Sequence, residues 1–198
     1  MDDWNTEKML PLEFFSKFRG GQIGDYGTKN SVTMYMTWDE EHLYWVARIT
    51  DDVLHTGGKY MEIWPNDCLH LCIYPWELSK GGTVRGIAYK DHCGIDEDGQ
   101  STIDRVQSPV EPAPGTTGWW PKDTQFVAKK TDDGYIYECS FSRAALAPLE
   151  FKPGTKFRMA ATYWDNDQKT PHEKVMWYWG TGNVEGDIDS FGQLTLIE

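Results

Sequence analysis

Between Val32 and Ile49 apolar and polar residues alternate with a period of two. Val32, Met34, Met36 and Trp38 are interleaved with Thr33, Tyr35 and Thr37. After Asp39-Glu40-Glu41 the pattern resumes with Leu43, Trp45, Ala47 and Ile49. A strand puts successive side chains on opposite faces, so this spacing gives two one-sided strands, whereas a helix would scatter the same residues around its axis. Two such runs joined by a short acidic turn predict a β-hairpin. No long segment repeats apolar residues at helical spacing. Similar runs predict strands near 67–74, 83–89, 125–131, 134–142, 156–164, 173–179 and 192–198, with Asp132-Asp133-Gly134 as the clearest tight turn. About nine short antiparallel strands with Gly and Pro punctuation predict an all-β chain, an antiparallel two-sheet β-sandwich of jelly-roll-like type. The segment from Gly94 to Lys122 is expected to be a long loop excursion and Ser142–Leu146 a turn of helix capped by Ser142. Strands of one character run on both sides of the excursion, so residues 1–198 are expected to form a single domain.

The formal net charge of −12 argues against nucleic acid and anionic membranes, both of which need a concentrated Lys/Arg surface. No stretch approaches the roughly 18 apolar residues of a membrane span. Ten Trp and ten Tyr are more than a core of this size requires, so part of them is expected on a binding platform. An extracellular, secreted domain is expected, although Met1-Asp2-Asp3-Trp4 does not read as a secretion leader. The four cysteines lack the spacing of a zinc ribbon or a redox pair. Cys68 and Cys72 lie roughly 13 Å apart at about 3.3 Å per strand residue, beyond the ~7 Å reach of a disulfide. Other pairings and four free thiols both fit.

On the strand near 67–73, Leu69, Leu71 and Ile73 share the face that must meet the core, which turns Cys68, His70 and Cys72 away from it. A Cys-His-Cys row invites zinc, but Cys72 is too far from Cys68 to join one ion, and a hydrogen-bonding histidine between half-buried thiols is the preferred reading. Sugars are held by aromatic faces over their C–H surfaces and by fixed polar groups at their hydroxyls. Trp64, Trp119, Trp120, Trp164 and Trp179 stand at strand ends or in loops where rings can serve that purpose, and Arg85 sits mid-strand with a planar fork of donors. Asp165-Asn166-Asp167 follows Trp164 and offers oxygen ligands for structural calcium through Asp165 and Asp167. No nucleophile elbow, His-Glu-x-x-His, phosphate loop or heme-attachment pattern occurs.

Several segments together resemble the family 9 carbohydrate-binding modules. Thr37-Trp38-Asp39 through Leu43-Tyr44-Trp45-Val46 to Thr50-Asp51-Asp52-Val53 is similar to that family's first hairpin, and Trp64-Pro65-Asn66-Asp67-Cys68-Leu69-His70 to its Trp-x-x-Asp strand. Gly134-Tyr135…Phe141, Pro153-Gly154-Thr155-Lys156-Phe157-Arg158 and Phe191-Gly192-Gln193-Leu194-Thr195-Leu196 follow in order. The resemblance implies a jelly-roll-like sandwich with structural calcium, appended to a polysaccharide-degrading enzyme and clamping a sugar end between two tryptophans. By position Trp64 is one wall and Arg85 the sugar-binding arginine, while His70 replaces a sugar-contacting glutamate. The second tryptophan falls near Glu185, in a loop without an aromatic residue. Trp179 is the nearest ring, and Asn183 and Glu185 remain as polar candidates.

The expected function is therefore non-catalytic binding of a mono-, oligo- or polysaccharide. The competing readings are a heme-binding electron-transfer sandwich, for which seven Met and five His nominate no particular pair, and an enzyme acting on glycans.

Overall fold

The computed structural model describes residues 30–58, 60–75, 88–109, 120–167 and 191–198 without interruption, together with Trp4, Leu12–Glu13, Phe15–Phe18, Val175–Trp179 and Ile188. Its strands are β1 (Leu12–Glu13), β2 (Phe15–Phe18), β3 (Ser31–Trp38), β4 (His42–Thr50), β5 (Cys68–Pro75) and β6 (Tyr89–Ile95). They continue as β7 (Ser101–Gln107), β8 (Gln125–Thr131), β9 (Gly134–Ser142), β10 (Lys156–Asp165), β11 (Val175–Trp179) and β12 (Gly192–Thr195). A five-stranded sheet runs β1-β3-β4-β9-β8; a second runs β2-β11-β10-β5-β6-β7, with β12 also pairing β10. All described pairings are antiparallel.

The hairpin predicted from alternation is present, with Val32 opposite Ile49 and Trp38 opposite Leu43. Its turn is closed by Asp39, whose carboxylate accepts from the Glu41 and His42 amides at 2.8 Å each. Alternation works because one set of residues from each sheet meets the other. Met34, Trp45 and Ile49 of the first sheet pack with Leu69, Leu71, Ile73, Met159 and Tyr163 of the second, all buried. Burying such side chains contributes about 1.5–3 kcal/mol each relative to exposure. At one edge Ser101 stitches the sheets together, accepting from the Ala128 amide at 2.8 Å and donating to its carbonyl. The β8–β9 turn requires Gly134: a side chain there would press its Cβ to 2.1 Å from the Ile49 carbonyl oxygen.

Three expectations change. The stretch 94–122 is not one excursion, because β6 extends to Ile95 and β7 begins at Ser101 after a tight turn in which the Asp96 carboxylate accepts from the Asp98 and Gln100 amides. The alternation of β6 and β7 was hidden because two inward positions are charged: Asp91 and Arg105 form a buried ion pair in the position of apolar residues. Of the strand expected at 83–89, residues 83–87 lie outside the described residues, and its last residue, Tyr89, opens β6. Ser142 does cap a turn, since its hydroxyl accepts from the Ala145 amide at 3.2 Å, but no helix follows. All four cysteines are free and buried, Cys68 and Cys72 completely so rather than half-exposed.

Candidate carbohydrate site and a carboxylate cluster beside it

The outer face of the second sheet is where the structure departs from a simple sandwich. Residues directly opposite on antiparallel strands share a face. Thr162 of β10, His70 of β5, His92 of β6 and Asp104 of β7 are successive cross-strand partners and form one row pointing away from the main core. All four are nonetheless buried. The His70 and His92 rings stack with centroids 3.7 Å apart and planes 7° from parallel. Trp164, two residues along β10 from Thr162, meets His70 edge-on and donates its indole N–H to His70 Nδ1 at 3.0 Å. Below the row on the same face lies a small apolar cluster of Cys72, Tyr74, Ala88, Ala160, Ile188 and Phe191.

Trp64 is half-buried in the turn leading into β5, its carbonyl accepting from the Cys68 thiol at 3.8 Å. Cys68 is the cross-strand partner of Trp164, so both tryptophans belong to the same end of the sheet. The expected Trp64, His70 and Trp164 are thus brought to one region, and His92 and Asp104 join them. Sequence reasoning missed the last two because they sit on strands whose alternation went unread.

Trp179 is not part of this group. It stands opposite Ala161, which faces the main core, and its ring packs against that core and over Gly192, where a Cβ would come within 2.3 Å of it. It cannot be the second wall of a site that contains His70, because the sheet lies between them. Arg85, Asn183, Glu185 and Trp119 lie outside the described residues. Trp120 is exposed, with its indole donating to the Thr124 carbonyl at 2.8 Å.

At the same end of the sandwich, but between the sheets, carboxylates converge. Oxygens of Asp51, Asp67 and Asp165 lie within 4.8 Å of one another, as do those of Asp51, Asp52 and Asp167. The two expected calcium ligands are therefore in different halves of one acidic group, Asp165 buried and Asp167 exposed. Asp51 directly follows β4, Asp67 precedes β5 and Asp165 ends β10, so the cluster ties both sheets together. Tyr163 donates to Asp51 at 2.7 Å and Tyr135 to Asp67 at 2.9 Å; the Asn166 amide donates to Asp67 and the Asn30 side chain to Asp165, both at 3.0 Å. Burial pushes the Asp51 carboxyl up to about 7, helped by the negative charge of Asp165. Burial pushes Asp67 up to about 8, helped by Asp51. The side-chain oxygens of Asn30 and Asn166 are buried without a hydrogen-bond partner.

That donor set is all oxygen and acidic, and no Lys or Arg among the described residues pairs with Asp51 or Asp67, which suits a hard cation such as calcium and not zinc. Asp51, Asp67 and Asn30 were not singled out from the sequence as ligands, whereas Asn166 lay within the Asp165-Asn166-Asp167 triplet. The available signal was the pair of acidic positions at Thr50-Asp51-Asp52 and Asn66-Asp67, each just outside a strand.

A family match places this two-sheet antiparallel sandwich in the class of non-catalytic carbohydrate-binding modules. The model of the carbohydrate family 9 binding domain-like family matches residues 3–198, and the chain belongs to that family. No curated protein sequence matches significantly. Among solved structures, the chain is similar to a family 9 carbohydrate-binding module from Caldicellulosiruptor kristjanssonii in complex with glucose. Identity is 15% and the TM-score 0.68, covering 99% of this chain and 87% of the other. The cellotriose complex of a family 9 module from the same organism matches at 14% identity and a TM-score of 0.68, over 96% and 84% of the two chains.

Proposed function

We propose that the domain binds glucose or a short glucan through the outer face of the second sheet, with Trp64 supplying an aromatic wall and His70 a polar contact. The observation that carries this reading is the row His70, His92 and Trp164: ordered, polar and aromatic, on a face that a structural sandwich would leave either solvated or apolar. The similar modules from Caldicellulosiruptor kristjanssonii are described in complex with glucose and with cellotriose, which makes those two sugars the first to test. Arg85, Asn183 and Glu185 enter the proposal from the family resemblance alone.

Calcium held by Asp51, Asp67 and Asp165, with Asn30 and Asn166 oxygens completing the shell, is the accompanying structural proposal. Calcium takes six to eight oxygen ligands, and binding it would hold three strand ends in place, including the ends of β5 and β10 that carry Trp64 and Trp164. We further infer a secreted domain that serves as an accessory module of a polysaccharide-degrading enzyme, a reading supported by its membership of a sugar-binding family.

Isothermal titration with glucose and cellotriose is the test. Dissociation constants from micromolar to millimolar are expected, equivalent to about 4–8 kcal/mol. Binding should be lost in Trp64→Ala with the thermal midpoint retained. A protein that binds no glycan across a broad array refutes the reading.

A further inference from the structure

The two sheets differ in what their outer faces offer. In the second sheet β5 and β6 are buried at every position. In the first sheet Leu43, Trp45, Phe141 and Phe126 point into the core, so alternation turns Tyr44, Ser140 and Gln125 outward. Cross-strand pairing sets Thr37, Tyr44, Ser140 and Gln125 in one row across β3, β4, β9 and β8. The first three are partly exposed and Gln125 is exposed. Tyr35, also outward and partly exposed, is diagonal to Tyr44, a separation of roughly 7–8 Å that a long side chain spans. The His42 ring lies 5.6 Å from the Tyr44 ring. Trp120 stands by the β8 end of the row, where it is 46% exposed and hydrogen-bonded to Thr124, the residue before Gln125.

Two of these rings have their polar atoms engaged within the chain. The Tyr44 hydroxyl donates to Asp39 and the Trp120 indole N–H to the Thr124 carbonyl, both at 2.8 Å. Each ring is thereby held in one orientation with apolar surface left towards solvent, and apolar ring surface is what covers the C–H side of a pyranose. We propose that the outer face of the first sheet, centred on Tyr44 with Trp120 at its β8 end, is a second carbohydrate site that takes an extended glucan chain. It shares a ligand class with the site around Trp64 and none of its residues.

The charges on this face favour a neutral occupant. Asp39 accepts from the Glu41 and His42 amides as well as from Tyr44, and Arg48 is held by both oxygens of Asp133 at 2.7 Å. Glu138 and Lys129, outward on β9 and β8, add one charge of each sign. Thr37, Ser140 and Gln125 supply hydroxyl and amide groups beside the rings, the uncharged donors and acceptors that sugar hydroxyls need. The rings are spread over the sheet, and each offers one weak contact, so a chain long enough to cover several gains most.

Affinity electrophoresis of the whole domain in gels containing hydroxyethylcellulose, with calorimetric titration of cellotriose alongside, tests the proposal. Tyr44→Ala and Trp120→Ala should each weaken retention by the polymer about tenfold and leave cellotriose affinity at the Trp64 site unchanged. Trp64→Ala should do the reverse. If Tyr44→Ala lowers the thermal midpoint, Trp120→Ala decides, because its ring lies outside both sheets. Unchanged retention in both variants overturns the proposal, and so does loss of retention in Trp64→Ala alone. A wild type that binds cellotriose but is not retained also overturns it, while the reading of the Trp64 site stands. Retention that depends on Tyr44 and Trp120 in a protein that binds no cellotriose supports this face and removes the Trp64 reading.

Discussion

Asp91 on the one hand, and Asp51 with Asp67 on the other, are buried carboxylates treated in opposite ways. Asp91, in β6, receives both ends of the Arg105 guanidinium, Nε at 2.8 Å and Nη2 at 2.9 Å, and Arg105 also lies 4.4 Å over the Tyr89 ring and donates to the Ala145 carbonyl. Its charge is balanced within the chain. Asp51 and Asp67 are surrounded instead by tyrosine hydroxyls, backbone amides and other carboxylates, and no Lys or Arg among the described residues pairs with either. Burial, together with the neighbouring carboxylates, pushes both carboxyls far above the usual carboxylate range, and the hydrogen bonds offset only part of that shift. One buried acid was given its partner by the sequence; for the other two the proposed calcium would be the partner.

The sharpest way to break that contrast is to remove the internal partner. Arg105→Leu should destabilise the fold by about 3–5 kcal/mol in denaturant titration, because Asp91 would be left buried and uncompensated. The double variant Asp91→Leu/Arg105→Leu should recover most of the loss, as a charge pair replaced by apolar groups removes the desolvation cost of both. A double variant no better than the single would mean that the pair is held for its contacts to the 142–148 turn, not for charge balance.

Next in size is the external partner. Calcium at about one hundred times its dissociation constant should stabilise the domain by about 2.7 kcal/mol, and chelation should remove the gain. Asp67→Asn should abolish the calcium response while leaving the Arg105 region untouched. Chelation should also weaken sugar binding, since the same cation would fix the ends of β5 and β10.

The contrast also explains what could be read from the sequence. The hairpin of β3 and β4, and β8, β9 and β10, follow from alternation because their inward residues are apolar or aromatic. In β6 and β7 the inward positions include Asp91 and Arg105, so period-two patterning fails where an ion pair replaces two apolar side chains. His70 was correctly placed off the main core from its neighbours Leu69 and Leu71. Its stacking partner His92 was out of reach, because the pairing of β5 with β6 is a tertiary fact. Trp179 was assigned by its place at a strand end, but its direction depends on register with β10, and register put it inside. Asp165 was visible as part of a local acidic triplet, whereas Asp51 and Asp67 join it only once three strand ends converge.

A further effect comes from pH. Asp51 at about 7 and Asp67 at about 8 lie above the ordinary value of 3.8, so the folded chain binds more protons than the unfolded chain between these limits. Without calcium, stability should therefore rise as pH falls from about 8 to about 5, the reverse of ordinary salt-bridged carboxylates. With saturating calcium the trend should flatten or invert, because protons then compete with the cation. Thermal midpoints across that range, with and without calcium, measure both. An apo protein that loses stability steadily on acidification in this window contradicts the carboxylate cluster as described.

Asp104 is the case that sharpens the comparison most finely. It is 3% exposed, its Oδ2 has no hydrogen-bond partner, and burial pushes its carboxyl up to about 6, with the charge of Asp91 adding to the effect. It thus has neither the guanidinium of Asp91 nor the hydroxyl and amide shell of Asp67. Asp104→Asn should raise stability by about 0.5–1 kcal/mol above neutral pH, since an amide removes the cost of holding an ionised group away from water. The gain should shrink as pH falls below about 6, where the native carboxyl is already protonated. If the variant is instead less stable, Asp104 has a partner that only solution supplies, an ordered water or a cation, and it belongs with Asp51 and Asp67 as an acid placed to be completed from outside.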